Sequence, residues 1–158
     1  MLRCYAVCIT LGIFISKMIR VEQVAWADGQ ALIRPIREAV FIQEQKVPVE
    51  LEWDGLDATC IQLLAFSGND AVGTARMTAA GKIGRMAVLS GHRGLGVGKS
   101  LLSKMIQLAQ KTHLSAVVLD AQVSAIPFYQ PFGFEVVSEP FMDAGIAHRK
   151  MKLFFDVE

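Results

Sequence analysis

The chain has 158 residues, 53% of them hydrophobic and 20% charged, with a formal net charge of +1 at pH 7. That length suits one domain with a substantial core, and the near-zero charge, with no basic block or aromatic-basic interleaving, argues against nucleic acid as a partner. Cys4, Cys8 and Cys60 match the spacing of neither a metal site nor a disulfide framework, which favours a reducing compartment and a cytoplasmic location.

Cys4 to Ile15 is an almost continuous apolar run between Arg3 and Ser16-Lys17. It is shorter than the roughly 20 apolar residues that cross a bilayer, so no stable membrane span is expected. As a secretory leader it has a charged start but no small-x-small cleavage pattern. The preferred reading starts translation at Met18, leaving 1–17 as an apolar extension and 18–158 as the domain; an anchor or a docked extra segment are the other readings. Loss of 1–17 removes Arg3 and Lys17 and no acid, so the net charge moves from +1 to −1, and two of the three cysteines go with it.

From Ile19 to Ala25 apolar and polar residues alternate as in a strand. Asp28 or Gly29 then starts a helix to about Gln45, with Ala31, Leu32, Pro35, Ile36, Ala39, Val40 and Ile42 near one face. Pro35 lies inside it, so a kink or two shorter helices are expected. Val47-Pro48 ends the helix, and Glu50 to Gly55 reads as an acidic loop or short helix. Thr59 to Phe66 and Ala71 to Thr78 are strands joined by the turn Ser67-Gly68-Asn69-Asp70. After a second turn at Ala80-Gly81-Lys82, Ile83 to Leu89 is a further strand. A glycine-rich loop precedes a helix to about Lys111, and Ala116 to Leu119 reads as a buried parallel strand. A short helix near Ala125 to Gln130 and two strands, Phe134 to Ser138 and Arg149 to Val157, close the chain. A meander followed by a β-α-β crossover predicts an α/β fold of the α+β type, with a central mixed sheet flanked by helices.

Arg93-Gly94-Leu95-Gly96-Val97-Gly98 is nearly free of side chains and opens a helix. Its main-chain N–H groups can converge on a phosphate, helped by the helix dipole and the charge of Arg93. A Walker loop would need glycine where Arg93 stands, and a dinucleotide fingerprint would need it at Lys99. The spacing that fits is R-x-x-G-x-G, through Arg93, Gly96 and Gly98; the plainer reading is a glycine turn without a ligand. Further along, Pro127 presets the first turn of a short helix and Gly133 permits its exit. Phe128 and Phe134 anchor that helix, leaving Tyr129 either facing a cleft or packed with its hydroxyl on backbone.

The R-x-x-G-x-G loop resembles the acetyl-coenzyme A loop of the GNAT superfamily of N-acetyltransferases. Ala125-Ile126-Pro127-Phe128-Tyr129-Gln130-Pro131-Phe132-Gly133-Phe134 is similar to its A-x-x-F-Y-x-x-x-G-F segment. Ala39 to Asp57 resembles the V-F-x-x-E-Q-x-V-P-x-E-x-E-x-D-x-x-D block of bacterial YjcF/ElaA-like members. Ala144-Gly145-Ile146-Ala147-His148-Arg149-Lys150-Met151 resembles their A-G-I-P-H-x-x-M ending, with Ala147 in the proline's place. The resemblance spans Met18 to the C-terminus.

It implies a GNAT-like acyl-CoA N-acyltransferase fold and transfer of an acetyl group from acetyl-CoA to an amine, small molecule or peptide, by direct attack without a metal. It implies cofactor contacts at Met86, Ala87, Val88, Arg93, Gly94, Gly96, Val97, Gly98 and Lys99. Ser124 stands where many members carry asparagine. Tyr129 corresponds to the tyrosine proposed to protonate the leaving thiolate. Glu44, Glu52, Asp54 and His148, with Glu50 and Asp57 nearby, are the acceptor-side candidates for a base, with solvated loop carboxylates as the plainer reading. Cys60 reads as a buried small residue rather than a nucleophile. A homodimer is compatible with this reading. The rivals are a non-catalytic acyl-CoA sensing module and a nucleotide hydrolase using Gly98-Lys99-Ser100.

Overall fold

The computed structural model describes residues 18–155, so the 1–17 extension lies outside the described residues, as does the predicted end of the last strand at Val157. Strand β1 (Ile19–Val24) leads into helix α1 (Trp26–Arg37), a π-helical stretch (Glu38–Glu44) and the short helix α2 (Val49–Glu52). Strands β2 (Ile61–Ser67), β3 (Asp70–Met77) and β4 (Ile83–Val88) continue from β1 as an antiparallel sheet in sequence order. Helix α3 (Val97–Gln110) crosses to a second sheet built from β5 (Ala116–Gln122), β6 (Glu135–Val136), β7 (Phe141–Asp143) and β8 (Ile146–Phe154), with the short helix α4 (Ile126–Tyr129) after β5. Strand β8 is the spine of that sheet: β5 runs antiparallel along one edge, and β6 and β7 share the other.

The first sheet is covered on both faces, which explains the unbroken apolar run in β2. Leu63 and Ala65 pack with Val97, Leu101, Leu102 and Met105 of α3. Leu64, between them in sequence, points the other way and packs with Ile33, Ile36 and Val40. The β2–β3 turn has only Gly68 at positive φ (+64°), and Asn69 completes it.

Three local expectations change. Pro35 does not split the first helix; α1 runs through it, and the i→i−5 bonding of the π-helical stretch, such as Gln45 N to Val40 O at 3.1 Å, follows directly. Strand β7 is absent from the sequence reading. It is three residues long and is held by pairing with β8 through a turn in which Ala144 (φ +48°) and Gly145 (φ +76°) are both left-handed. The predicted β6 shrinks to Glu135–Val136, whose partners are Lys152 and Met151.

The expected parallel neighbours, β4 and β5, meet at a single bridge, Lys82↔Val118, where Val118 N donates to Gly81 O at 3.0 Å. Past that bridge they do not pair. The cause lies in β4: the β3–β4 register slips between Thr74 and Arg76, opposite Arg85, whose φ of +49° is unusual for a residue with a side chain. The bulge turns the end of β4 away and opens a gap.

Gly73 of β3 lets α3 sit close to this sheet. A Cβ there would stand 2.9 Å from Val97 Cγ1, 3.1 Å from Leu101 Cδ1 and 3.1 Å from the Ala87 carbonyl. Gly73→Ala is therefore expected to lower stability by about 1–3 kcal/mol through overpacking. Chemical denaturation measures it, and an unchanged midpoint contradicts the close contact.

Candidate functional site

The gap between β4 and β5 is a cavity of about 580 Å³. Met86, Ala87 and Val88 form one wall, and Leu119, Asp120 and Gln122 the opposite one. The C-terminal part of the π-helical stretch covers one side through Phe41, Glu44 and Gln45. Tyr129 from α4 and the β7–β8 hairpin, with Asp143 and His148, close the remainder. Because β4 is the last strand of its sheet, the backbone edge at Met86–Val88 has no strand neighbour on the cavity side among the described residues.

At one end of β4 the glycine loop enters α3. Gly94 and Gly96 have φ of +75° and +85°, and a Cβ at either would meet nothing within 4 Å. Glycine is required there by the backbone, and the space above the loop is open. Gly96 is the N-cap of α3 and offers no side chain, so the N–H groups of Val97, Gly98 and Lys99 in the first turn are uncapped. No acidic residue lies in that turn. An uncapped helix start beside an open glycine loop suits an anion.

Gly98 serves a different purpose from its neighbours. Its φ is ordinary, and an added Cβ would stand 3.4 Å from Phe128 Cζ. It is the packing point between α3 and α4, and it ties the glycine loop to the tyrosine motif. Ser100 Oγ donates to Gly96 O at 3.0 Å, so the hydroxyl that a nucleotide hydrolase would turn to a metal is used locally.

Arg93 was expected to face a phosphate. Its guanidinium instead binds Glu44 with both terminal nitrogens, Nη1 at 2.6 Å and Nη2 at 2.8 Å, while Nε donates to the Val88 carbonyl at 3.0 Å. The pair joins the glycine loop to the π-helical wall. Its hydrogen bond holds the Glu44 carboxyl below its ordinary value.

Tyr129 is fixed by its ring, edge-on to Phe128 at 5.0 Å and to Phe134 at 6.0 Å. Among the described residues its hydroxyl has no protein partner, against the reading in which backbone satisfies it. Burial pushes its pKa up to about 12, so the phenol keeps its proton throughout the neutral range. Ser124 lies in a short 3-10 turn, exposed, between Gln122 and Ala125, which do line the cavity.

The acidic block departs most from the sequence reading. Glu52 and Asp57 are buried, and with Asp54 they form an ion network with Arg37, Arg76 and Arg85. Arg37 donates to Glu52 (2.5 Å) and Asp57 (2.6 Å), and Arg76 donates to Asp57 (2.8 Å) and to both oxygens of Asp54. Arg85, at the bulge, adds Glu52 at 3.0 Å. Trp53 lies over the guanidiniums of Arg34 and Arg37 at 4.6 and 4.5 Å. Burial pushes the Glu52 carboxyl up against the pull of Arg37 and Arg85, while hydrogen bonding to Arg76 brings Asp54 down to about 2. Three carboxylates meet three arginines, which leaves none of these acids free as a base. Glu50 is exposed and does not border the cavity. The sequence did carry a signal: Arg37 adjoins Ile36 on the buried face of α1, and Arg76 interrupts the apolar strand Val72–Met77. Cys60 lies outside the cavity, and burial raises its thiol pKa, which disfavours a reactive thiolate.

Two residues overlooked in the sequence, Asp120 and Gln122, project from β5. Asp120 Oδ2 pairs with Lys82 Nζ at 2.7 Å, and its Oδ1 is buried with no hydrogen-bond partner among the described residues. Gln122 Nε2 donates to Gln45 Oε1 at 2.9 Å, tying β5 to the π-helical wall. His148 of β8 stands opposite Gln122 of β5 and opposite Phe141 of β7. Its ring stacks on Phe141 at 6.0 Å, and Nδ1 lies 2.8 Å from the Ile146 carbonyl.

A family profile described as an acetyltransferase (GNAT) domain matches residues 37–155. The uncharacterized N-acetyltransferase YjcF of Bacillus subtilis is 38% identical over 120 residues, covering 73% of this chain and 86% of that protein. ElaA of Escherichia coli is 33% identical over 123 residues, covering 72% and 79%. The crystal structure of Escherichia coli ElaA superposes with a TM-score of 0.77 at 29% identity, covering 85% of this chain and 99% of that one. An acyl-CoA N-acyltransferase from Pseudomonas aeruginosa gives 0.76 at 28%, with the same coverage.

The ion network yields two expectations. Arg37→Met strands Glu52 without its shortest partner and is expected to cost about 3–5 kcal/mol of stability, read by urea denaturation. Because the folded pKa of Asp54 is depressed from 3.8 to about 2, its contribution is complete above about pH 4 and is lost as pH falls towards 2. Asp54→Asn should flatten the stability decline across that window by at most about 2 kcal/mol. Equal slopes for the two proteins contradict the Asp54–Arg76 pairing.

Proposed function

The chain belongs to the GNAT family of acetyltransferases, and from that premise we propose that it transfers an acetyl group from acetyl-CoA to a primary amine by direct attack. One observation supports the reading above the others. The unpaired edge of β4 and Tyr129 border one gap between two parallel strands, and Arg93, which also lines it, leads through the glycine loop to the uncapped start of α3.

Each element has a task. The N–H groups of Val97, Gly98 and Lys99, with the open turn at Gly94 and Gly96, suit the diphosphate of the donor. Met86–Val88 offers a strand edge to its extended pantetheine arm, which carries the acetyl group as an activated thioester. Arg93, paired to Glu44, braces the loop against the π-helical wall and stays beside the anion site. Fixing the thioester and the amine in one gap makes the attack effectively unimolecular. The protonated phenol of Tyr129 donates a hydrogen bond, and then its proton, to the departing sulfur.

Isothermal titration with acetyl-CoA, together with a coenzyme A release assay over a panel of amines, tests this function. Tyr129→Phe is expected to keep the acetyl-CoA Kd within about twofold while lowering turnover by about 100-fold or more. Undiminished turnover in that variant removes the role of Tyr129. A folded wild type without affinity for the thioester removes the transferase.

A further inference from the structure

Acetyl transfer to an amine needs a group that takes the amine's proton, and the structure leaves few groups able to do so. Glu44, Glu52, Asp54 and Asp57 are each held by arginine. We propose that His148 is that proton acceptor, acting through Nε2. The proposal rests on the transferase reading of the same cavity.

The ring's hydrogen bonding decides its tautomer. A carbonyl oxygen only accepts, so the 2.8 Å contact to Ile146 O requires a hydrogen on Nδ1. Neutral His148 therefore presents a lone pair on Nε2, the atom that no residue among those described engages. Stacking on Phe141 fixes the ring plane, with an interplanar angle of 23°. The β7–β8 turn, with its two left-handed residues, holds Phe141 and Ile146 in place. His148 is thus oriented by its own hairpin and borders the cavity that also holds Tyr129.

The charged neighbours favour an imidazole here. On β5, Asp120 faces the cavity but one of its oxygens is held by Lys82 at 2.7 Å, and Asp143 lies on β7 itself. Across the cavity, the Glu44–Arg93 and Glu52–Arg85 pairs each balance their own charge. Tyr129 on α4 is protonated and acts as a donor. A carboxylate is a poor match for an ammonium proton at neutral pH, whereas imidazole is the side chain matched to that range.

The balance is as follows. The ammonium form of the acceptor gives one proton to Nε2, and the imidazolium later releases it to solvent. The freed nitrogen lone pair forms the N–C bond as the C–S bond breaks. Tyr129 protonates the thiolate, and the second amine proton returns to the phenolate through solvent. The products are an amide, free coenzyme A and one proton.

The test compares His148→Asn, His148→Ala and Asp120→Asn, using the amine that releases coenzyme A fastest. Asparagine places an amide nitrogen where Nδ1 stands, so it keeps a donor for Ile146 and lacks a basic atom. Both His148 variants should lose about 100-fold or more in kcat, with the acetyl-CoA Kd within about twofold of wild type. The wild-type kcat/KM should fall on an acidic limb that is absent from His148→Asn. Added imidazole should restore part of the rate of His148→Ala. A His148→Asn protein with wild-type rate and limb overturns the assignment and gives the ring a merely structural role; a limb that vanishes only in Asp120→Asn moves the base to Asp120. Wild type that fails to bind acetyl-CoA, or releases coenzyme A with no amine, overturns the transferase reading and this assignment with it.

Discussion

Two parallel strands that touch once and then part are the constraint on which this molecule depends. Continuous pairing of β4 with β5 would fill the gap with main-chain hydrogen bonds and leave no cavity. The single bridge Lys82↔Val118 anchors the junction, and the bulge at Arg85 prevents it from extending. A left-handed conformation in a residue with a side chain costs of order 1–3 kcal/mol. Here Arg85 reaches the Leu51 carbonyl at 2.9 Å and Glu52 Oε2 at 3.0 Å, so the strained residue is also a bonded one.

The ion network has its place in the same scheme. It joins α1, the α2 loop, β3 and the bulge of β4 through three arginines and three carboxylates. Buried ion pairs add little net stability against an apolar core of equal volume, but losing one partner is expensive. The network therefore serves position more than stability. It fixes the wall beside the open strand edge, and Arg93–Glu44 and Gln45–Gln122 extend that bracing around the cavity mouth.

The two motifs are also one mechanical unit. Gly98 admits Phe128 against the start of α3, and the neighbouring Tyr129 packs edge-on against Phe128. The uncapped start of α3 and the ring of Tyr129 are thus separated by one aromatic ring. A shift in one moves the other.

The order of elements was readable because it rests on local chemistry: alternation in β1, glycine turns between strands, the apolar face of α3, and Pro127 and Gly133 bracketing the tyrosine helix. The loop and Tyr129 were readable because their backbone demands leave glycine and proline in the sequence. What folding alone decided were pairings across long separations. Glu52 and Asp54 read as acceptor-side candidates for a base, and the fold sets Arg37, Arg76 and Arg85 beside them; Arg93 reads as a cofactor contact, and the fold pairs it with Glu44, 49 residues away in sequence. The hairpin that orients His148 was hidden because three-residue β7 has no periodicity of its own and exists only by pairing with β8. Local sequence dictates which backbone shapes are affordable, whereas the partner of a charge is chosen by the three-dimensional path of the chain.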